Sequence, residues 1–177
     1  MDADPAARRA FRALFEAHYG QVLAYARRRT TEMADADDVV SETFTVAWRR
    51  FGEMPEEPLP WLYGVARRVL ANQRRGRRRW AGLIERIRRE PLDIATPGDP
   101  GEPVRVALAR LKPADQEVLR LSAWEELTHA QIGQVLGITA NAAAIRVHRA
   151  RKQLGTELAA LGFAPRNAEP SAGHSVG

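Results

Sequence analysis

Apolar residues recur at intervals of three and four along most of the chain, the spacing of helices that bury one side. Asp4 followed by Pro5 predicts a helix start with proline at the first position. Phe11, Phe15, Val22 and Tyr25 then form a core-facing stripe, with Leu14, His18 and Ala26 beside it, and Gly20 is a candidate bend. After a polar break at 30–33 a second helix is expected, with Asp35 and Asp37 complementing its positive end. It should bury Val40, Phe44, Ala47, Trp48 and Phe51 and close at Gly52, while Asp38, Ser41, Glu42, Thr45 and Arg49 occupy its other side. Residues 52–60 form a loop rich in proline and acid, where proline fixes the shape at low entropic cost. A third helix should start near Pro60 and turn Leu62, Val65, Ala66 and Val69 inward. Beyond Trp80 the pattern weakens to a short turn carrying Leu83, Ile84 and Ile87, and a cluster of proline and glycine between 91 and 103 reads as a linker.

The pattern resumes with short helices expected at 103–111 and 113–123, the second burying Val118, Leu119 and Trp124. Residues 127–154 carry the densest local signals. Thr128 and Gln131 have the spacing of a capping box, and Leu127 with Ile132 that of a hydrophobic staple. Gly137 supplies a left-handed helix end, and Thr139 the next N-cap. The second helix of this pair buries Ala143, Val147, Ala150 and Leu154. Its other side presents Asn141, Ile145, His148, Arg149 and Lys152, flanked by Arg146 and Arg151. A helix that is apolar behind and basic in front, turned by glycine onto a shorter one, suits a DNA major groove. A last apolar turn is expected at 158–163 after Gly155, then a disordered tail.

Composition narrows the function. The chain has 177 residues, no cysteine and a net charge of +5. The missing thiols remove disulfides, thiolate metal sites and cysteine nucleophiles. Histidines 18, 129, 148 and 174 form no HExxH or other catalytic set, and no glycine-rich phosphate loop is present, so an enzyme is the least expected class and no cofactor is implied. There is no membrane span and no secretory signal, consistent with a cytoplasmic protein. All but Lys112 and Lys152 of the 27 basic residues are arginine, so their placement carries the information. Arg67, Arg74 and Arg78 form one line on the third helix, and Arg68, Arg75 and Arg79 another beside Asn72. Trp61 and Tyr63 stand at its start, available for core packing or for stacking on unpaired bases.

With these residues in place, the chain resembles the extracytoplasmic-function sigma factors of bacterial RNA polymerase over roughly residues 8–160. DADDVVSETFTVAWRRF is similar to the family's polymerase-clamp segment, WLYGVARRVLANQRRGRRR to its −10 segment, and LKPADQEVLRLSAWEELTHAQIGQVLG with RVHRARKQL to its −35 domain. The resemblance implies an all-α architecture of two small helical domains joined by a flexible linker, the second containing a helix-turn-helix. The expected bounds are 1–90 for the region 2-like domain, 91–102 for the linker, 103–163 for the region 4-like domain and 164–177 for the tail. It implies that Asp38, Ser41, Glu42, Thr45 and Arg49 meet core RNA polymerase, whose clamp and flap regions are the expected partners. Trp61, Arg67, Arg68, Asn72, Arg74, Arg75 and Arg78 would hold the −10 strand, with the 52–60 loop capturing a flipped base. Asn141, Ile145, Arg146, His148, Arg149 and Lys152 would meet the −35 duplex, and an anti-sigma factor is a plausible further partner. Many family members have Asn at the position of Arg68 and Asp at that of Asn72. Ala142, Ala143, Ala144 and Ile145 stand where the family usually has threonine and other polar residues. The −35 reading would therefore rest on thymine-methyl contacts, DNA shape and phosphates. Two alternatives from other classes are a helix-turn-helix regulator acting without polymerase and an RNA-binding or polymerase-associated adaptor.

Overall fold

The computed structural model describes residues 5–84 and 101–163, with side chains through Arg77 and from Gly101 onward. The expected turn around Ile87, most of the linker, the tail and the Arg78 side chain lie outside the described residues. Among the described residues there are seven α-helices and no strand: α1 (Pro5–Arg27), α2 (Met33–Arg49), α3 (Pro58–Ile84), α4 (Glu102–Arg110), α5 (Pro113–Ala123), α6 (His129–Leu136) and α7 (Ala140–Ala160). A single 3-10 turn, Phe51–Glu53, follows α2.

Helices α1, α2 and α3 pack mutually around Val22, Tyr25, Ala26, Val39, Phe44, Leu62 and Val69. Gly20 does not break α1, which runs through it without interruption. The buried side of α2 is Ala36, Val39, Val40, Thr43, Phe44 and Ala47. Trp48, expected inside, is 37% exposed. Its ring edge meets Phe11, which also meets Phe51, so these aromatics form a rim around the core. The third helix starts at Pro58, two residues before the expected point. Its inward side adds Tyr63 and Leu70 to the four expected residues.

Helices α4 to α7 pack around α7, with a small cluster of Leu108, Leu111, Leu119, Ala150 and Leu154. The capping box is formed in full: Thr128 Oγ1 accepts from Gln131 N–H, and Gln131 Oε1 accepts from Thr128 N–H. Gly137 is left-handed at φ 68°, and Thr139 Oγ1 caps α7 through Ala142 N–H. Trp124, expected in the core, is 47% exposed at the end of α5, because the inward stripe there is Val118, Leu119 and Leu121. Glu126 then turns the chain with φ 54°, an uncommon conformation for a residue with a side chain. Gly155 lies inside α7 instead of ending it.

The two helical groups share a core. One continuous cluster joins the α1–α3 residues to Val118, Leu121, Leu127, Ile132, Val135, Ala143 and Val147. The close approach is between α3 and α6, where buried Gly64 faces the backbone of Val135. A Cβ at Gly64 would lie 3.8 Å from the Val135 carbonyl oxygen, an ordinary contact that leaves no room for a larger side chain.

Two glycines make opposite predictions. A Cβ at Gly133 would stand 2.7 Å from the Ile138 carbonyl, so Gly133→Ala should push the helix-turn-helix apart and cost about 1–3 kcal/mol in urea unfolding. At Gly155 nothing lies within 4 Å, and Gly155→Ala should stabilise the chain by about 0.5–1 kcal/mol in the same assay.

Candidate nucleic-acid interface

On α7 the stripe Ala143, Val147 and Ala150 is buried, which forces the intervening positions outward. Asn141, Ile145, Arg146, His148, Arg149 and Lys152 are all exposed, and Ile145 is an apolar residue at 44% exposure in the middle of a basic surface. No hydrogen bond or ion pair within the described residues engages the Arg146, Arg149 or Lys152 side chains, so their donors stand open to a ligand.

On α3 the apolar side holds Leu62, Val65, Ala66, Val69 and Leu70, and Arg67, Arg68, Asn72, Arg74 and Arg75 are exposed. Arg75 donates to Asn72 Oδ1, which fixes both side chains on one turn. Arg74 donates to the Arg29 carbonyl at 3.0 Å and so also ties α3 to the end of α1. Trp61 and Tyr63 divide the two roles left open by sequence. Tyr63 is buried and stacks on Tyr25 with ring centroids 4.9 Å apart. Trp61 is half-buried against the core at the start of the helix, with the Arg50 guanidinium 5.9 Å from its ring centre. The preceding loop 54–57 lies beside it, and Glu57 of that loop accepts from Gln131 of α6.

On α2, Asp38, Ser41, Glu42, Thr45 and Arg49 form an exposed strip opposite the buried one. Thr45 Oγ1 donates to the Ser41 carbonyl, and Asp38 and Glu42 are both exposed. Asp35, at the same helix start, is instead paired to Arg77 of α3.

Sequence reasoning did not find the ionic clasp that joins the two helical groups. The Arg29 side chain is only 2% exposed. Its Nε donates to Glu117 Oε2 at 2.9 Å and its Nη1 to Glu125 Oε1 at 3.0 Å, and the Glu125 side chain is fully buried. Arg28 reaches the same Glu125 oxygen at 2.9 Å, and the Tyr25 hydroxyl donates to Glu117 Oε1 at 3.0 Å. The Arg29 guanidinium also lies 3.6 Å over the Tyr25 ring. Burial alone would weaken the charge on Arg29, but Tyr25, Glu117 and Glu125 outweigh it and hold the guanidinium more firmly protonated than usual. Burial pushes the Tyr63 phenol up to about 12, with the Glu125 carboxylate adding to the shift. Burial and then Glu117 drive Tyr25 higher still. No short motif announces this clasp, because its acceptors lie 88–97 residues from their donors. Among the described residues no cluster of histidine and carboxylate fits a metal ion.

The clasp sets two expectations. Glu125→Gln leaves half of a buried ion-pair network uncompensated and should lower stability by about 3 kcal/mol in urea unfolding, with a larger radius of gyration in solution scattering. Above about pH 10 an unfolded chain loses phenolic protons that the folded chain retains. The contribution of Tyr25 and Tyr63 is therefore complete below that pH and declines as pH rises toward 12. The thermal midpoint should fall between about pH 10 and about pH 11.5, and Tyr63→Phe should reduce that fall.

Comparison with known proteins fits this geometry. Residues 14–80 match the family Sigma-70 region 2, and residues 102–154 match Sigma-70, region 4. The ECF RNA polymerase sigma factor SigL of Mycobacterium tuberculosis is 30% identical over 159 residues, covering 85% of this chain and 90% of the relative. The RNA polymerase sigma factor NccH of Alcaligenes xylosoxydans xylosoxydans is 31% identical over 158 residues, covering 82% and 84%. Among solved structures, CnrH in complex with the cytosolic domain of CnrY superposes with a TM-score of 0.62 at 26% identity, covering 86% of this chain and 90% of that one. The sigma factor RpoE in complex with the anti-sigma factor NepR from Bartonella quintana shares the fold, with a TM-score of 0.68 at 22% identity over 85% and 97% of the chains. The sequence resemblance, the two matched regions in order and the relatives matched over most of their length agree: this chain belongs to the ECF sigma factors of RNA polymerase.

Proposed function

We propose that the chain works by differential binding, with no bond chemistry of its own, on core RNA polymerase in the cytoplasm. Residues 1–90 hold the polymerase and the −10 element, 91–102 set the reach between the two readers, and 103–163 take the −35 element. The acidic strip of Asp38 and Glu42, with Ser41, Thr45 and Arg49, docks on the polymerase clamp. Trp61, Arg67, Arg68, Asn72, Arg74, Arg75 and Arg78 hold the −10 strand once its bases unstack, which costs a few kcal/mol that stacking and phosphate contacts offset. Asn141, Ile145, Arg146, His148, Arg149 and Lys152 enter the −35 major groove, Ile145 toward a thymine methyl and the cations toward phosphates.

The observation that carries this reading is the distribution of exposed faces: basic on α3 and on α7, acidic on α2. In the closed arrangement the α2 strip is open, whereas Arg67, Arg68, Arg74 and Arg75 share one cleft with Arg146 of α7. Docking on polymerase therefore needs no separation of the two groups, whereas the −10 contacts of α3 require the cleft to open; the α7 face, apart from Arg146, is exposed already. An anti-sigma protein would act on the same equilibrium by holding the closed form.

Run-off transcription with purified core polymerase and a matching promoter tests the role, and failure to direct initiation under any promoter overturns it. A footprint obtained without core polymerase would favour a stand-alone regulator, and preference for RNA over a non-template −10 oligonucleotide would favour an adaptor. Arg149→Ala should weaken duplex binding and reduce the slope of log affinity against log salt by about 1; an unchanged slope removes it from the phosphate contacts.

A further inference from the structure

The cleft between the two helical groups has a volume of about 990 Å³ and is lined from both sides by arginine. Arg67, Arg68, Arg74 and Arg75 come from α3, facing Arg120 of α5 and Arg146 of α7. Glu117 is the one carboxylate in the lining, and it is occupied by Arg29 and Tyr25. No carboxylate among the described residues pairs with any of the six. Arg120 is held only by the neutral Gln116, at 3.1 Å, and burial together with the nearby charges of Arg29 and Arg74 disfavours its protonated form. The two walls are therefore like-charged, with Glu117, already engaged by Arg29 and Tyr25, as the one carboxylate between them among the described residues. A low-dielectric cleft of one sign focuses its field and concentrates anions.

We infer that this cleft is a binding site for a linear oligophosphate, bridged by α3 on one wall and by Arg120 and Arg146 on the other. Guanidinium forks match phosphate oxygens in pairs, and several forks along one groove match a chain of them. The lining argues against a nucleobase. Its one aromatic ring, Tyr25, is buried between the Arg29 guanidinium and the Tyr63 ring, so no free aromatic face is available for stacking. A ligand touching both walls binds only the closed form and stabilises it by mass action. The consequence for transcription, withdrawal of the α3 arginines from promoter DNA, rests on the proposed function; the site does not.

The test is calorimetric titration of the full chain, without magnesium, with orthophosphate, tripolyphosphate, ATP, a single-stranded oligonucleotide and a glutamate-rich peptide. Tripolyphosphate should bind at least tenfold more tightly than orthophosphate and no less tightly than ATP. Arg120→Gln should weaken it at least tenfold, while Arg9→Gln, outside the cleft, should leave it unchanged. If Arg120→Gln does not fold, Arg68→Gln on the opposite wall carries the same comparison. Because the chain has no cysteine, fluorophores on Ala17→Cys and Ala159→Cys can report closure, and tripolyphosphate should restore the closed distance in the Glu125→Gln chain. Equal losses in the Arg9 and cleft variants would reduce the effect to general polyanion attraction and overturn the site. Tighter binding of ATP, the oligonucleotide or the peptide would overturn the choice of ligand. A chain that supports run-off transcription yet ignores tripolyphosphate refutes the cleft alone, whereas binding without transcription refutes only the promoter role.

Discussion

The arrangement of the whole molecule depends on one buried cation. Arg29, in the turn just after α1, is surrounded by Tyr25 from the last turn of that helix and by Glu117 and Glu125 from the other group. An isolated guanidinium at that depth would be prohibitively unfavourable, and its cost is offset only when both carboxylates are present. The charge network therefore supplies specificity: of all ways to lay α3 against α6, only one that delivers Glu117 and Glu125 to Arg29 compensates that buried guanidinium. The shared apolar cluster adds the non-directional attraction. Together they define a single closed form from two helical groups that each have packing of their own.

The same geometry divides the arginines by task. Arg28 and Arg29 are neutralised in the clasp, and Arg77 by Asp35. Those on α7 point away from the shared core, except Arg146, which reaches the cleft. Arg67, Arg68, Arg74 and Arg75 of α3 carry no carboxylate partner and face α5 and α7 across the cleft, Arg74 being tied to the Arg29 carbonyl and Arg75 to Asn72. A surface described by net charge alone would miss that Arg28, Arg29 and Arg77, like Arg50 beside Glu53 and Arg110 beside Glu157, are engaged in internal pairing.

The local part of this fold was legible in the sequence. The Thr128–Gln131 box, the Leu127–Ile132 staple, the left-handed Gly137 and the Thr139 cap are each encoded within five residues, and the chain realises all of them. Periodicity placed all seven helices within about two residues at most ends, since burial of one stripe is a local constraint. It failed where a helix side meets a rim instead of a core. Trp48 and Trp124 sit at positions compatible with the buried stripe, and only the tertiary arrangement shows that the core ends before it reaches them. The apolar turn expected at 158–163 after Gly155 begins as a continuation of α7, which runs on with Glu157 beside Arg110 and Leu158 half-buried. The proposed DNA and polymerase contacts were placed on exposed faces by the same periodicity. The clasp and the arginine cleft were not legible, because they require knowing which remote helices come together.

Gly64 gives the closed form an evolutionary dial. The helices there approach through a position with no side chain, one turn from Trp61 and from Arg67 and Arg68, so one small residue bears both on the association of the two groups and on the neighbouring α3 face. A bulkier residue at that codon would therefore change the spacing between the helical groups and the presentation of the α3 arginines together, so the two properties are tied to one position.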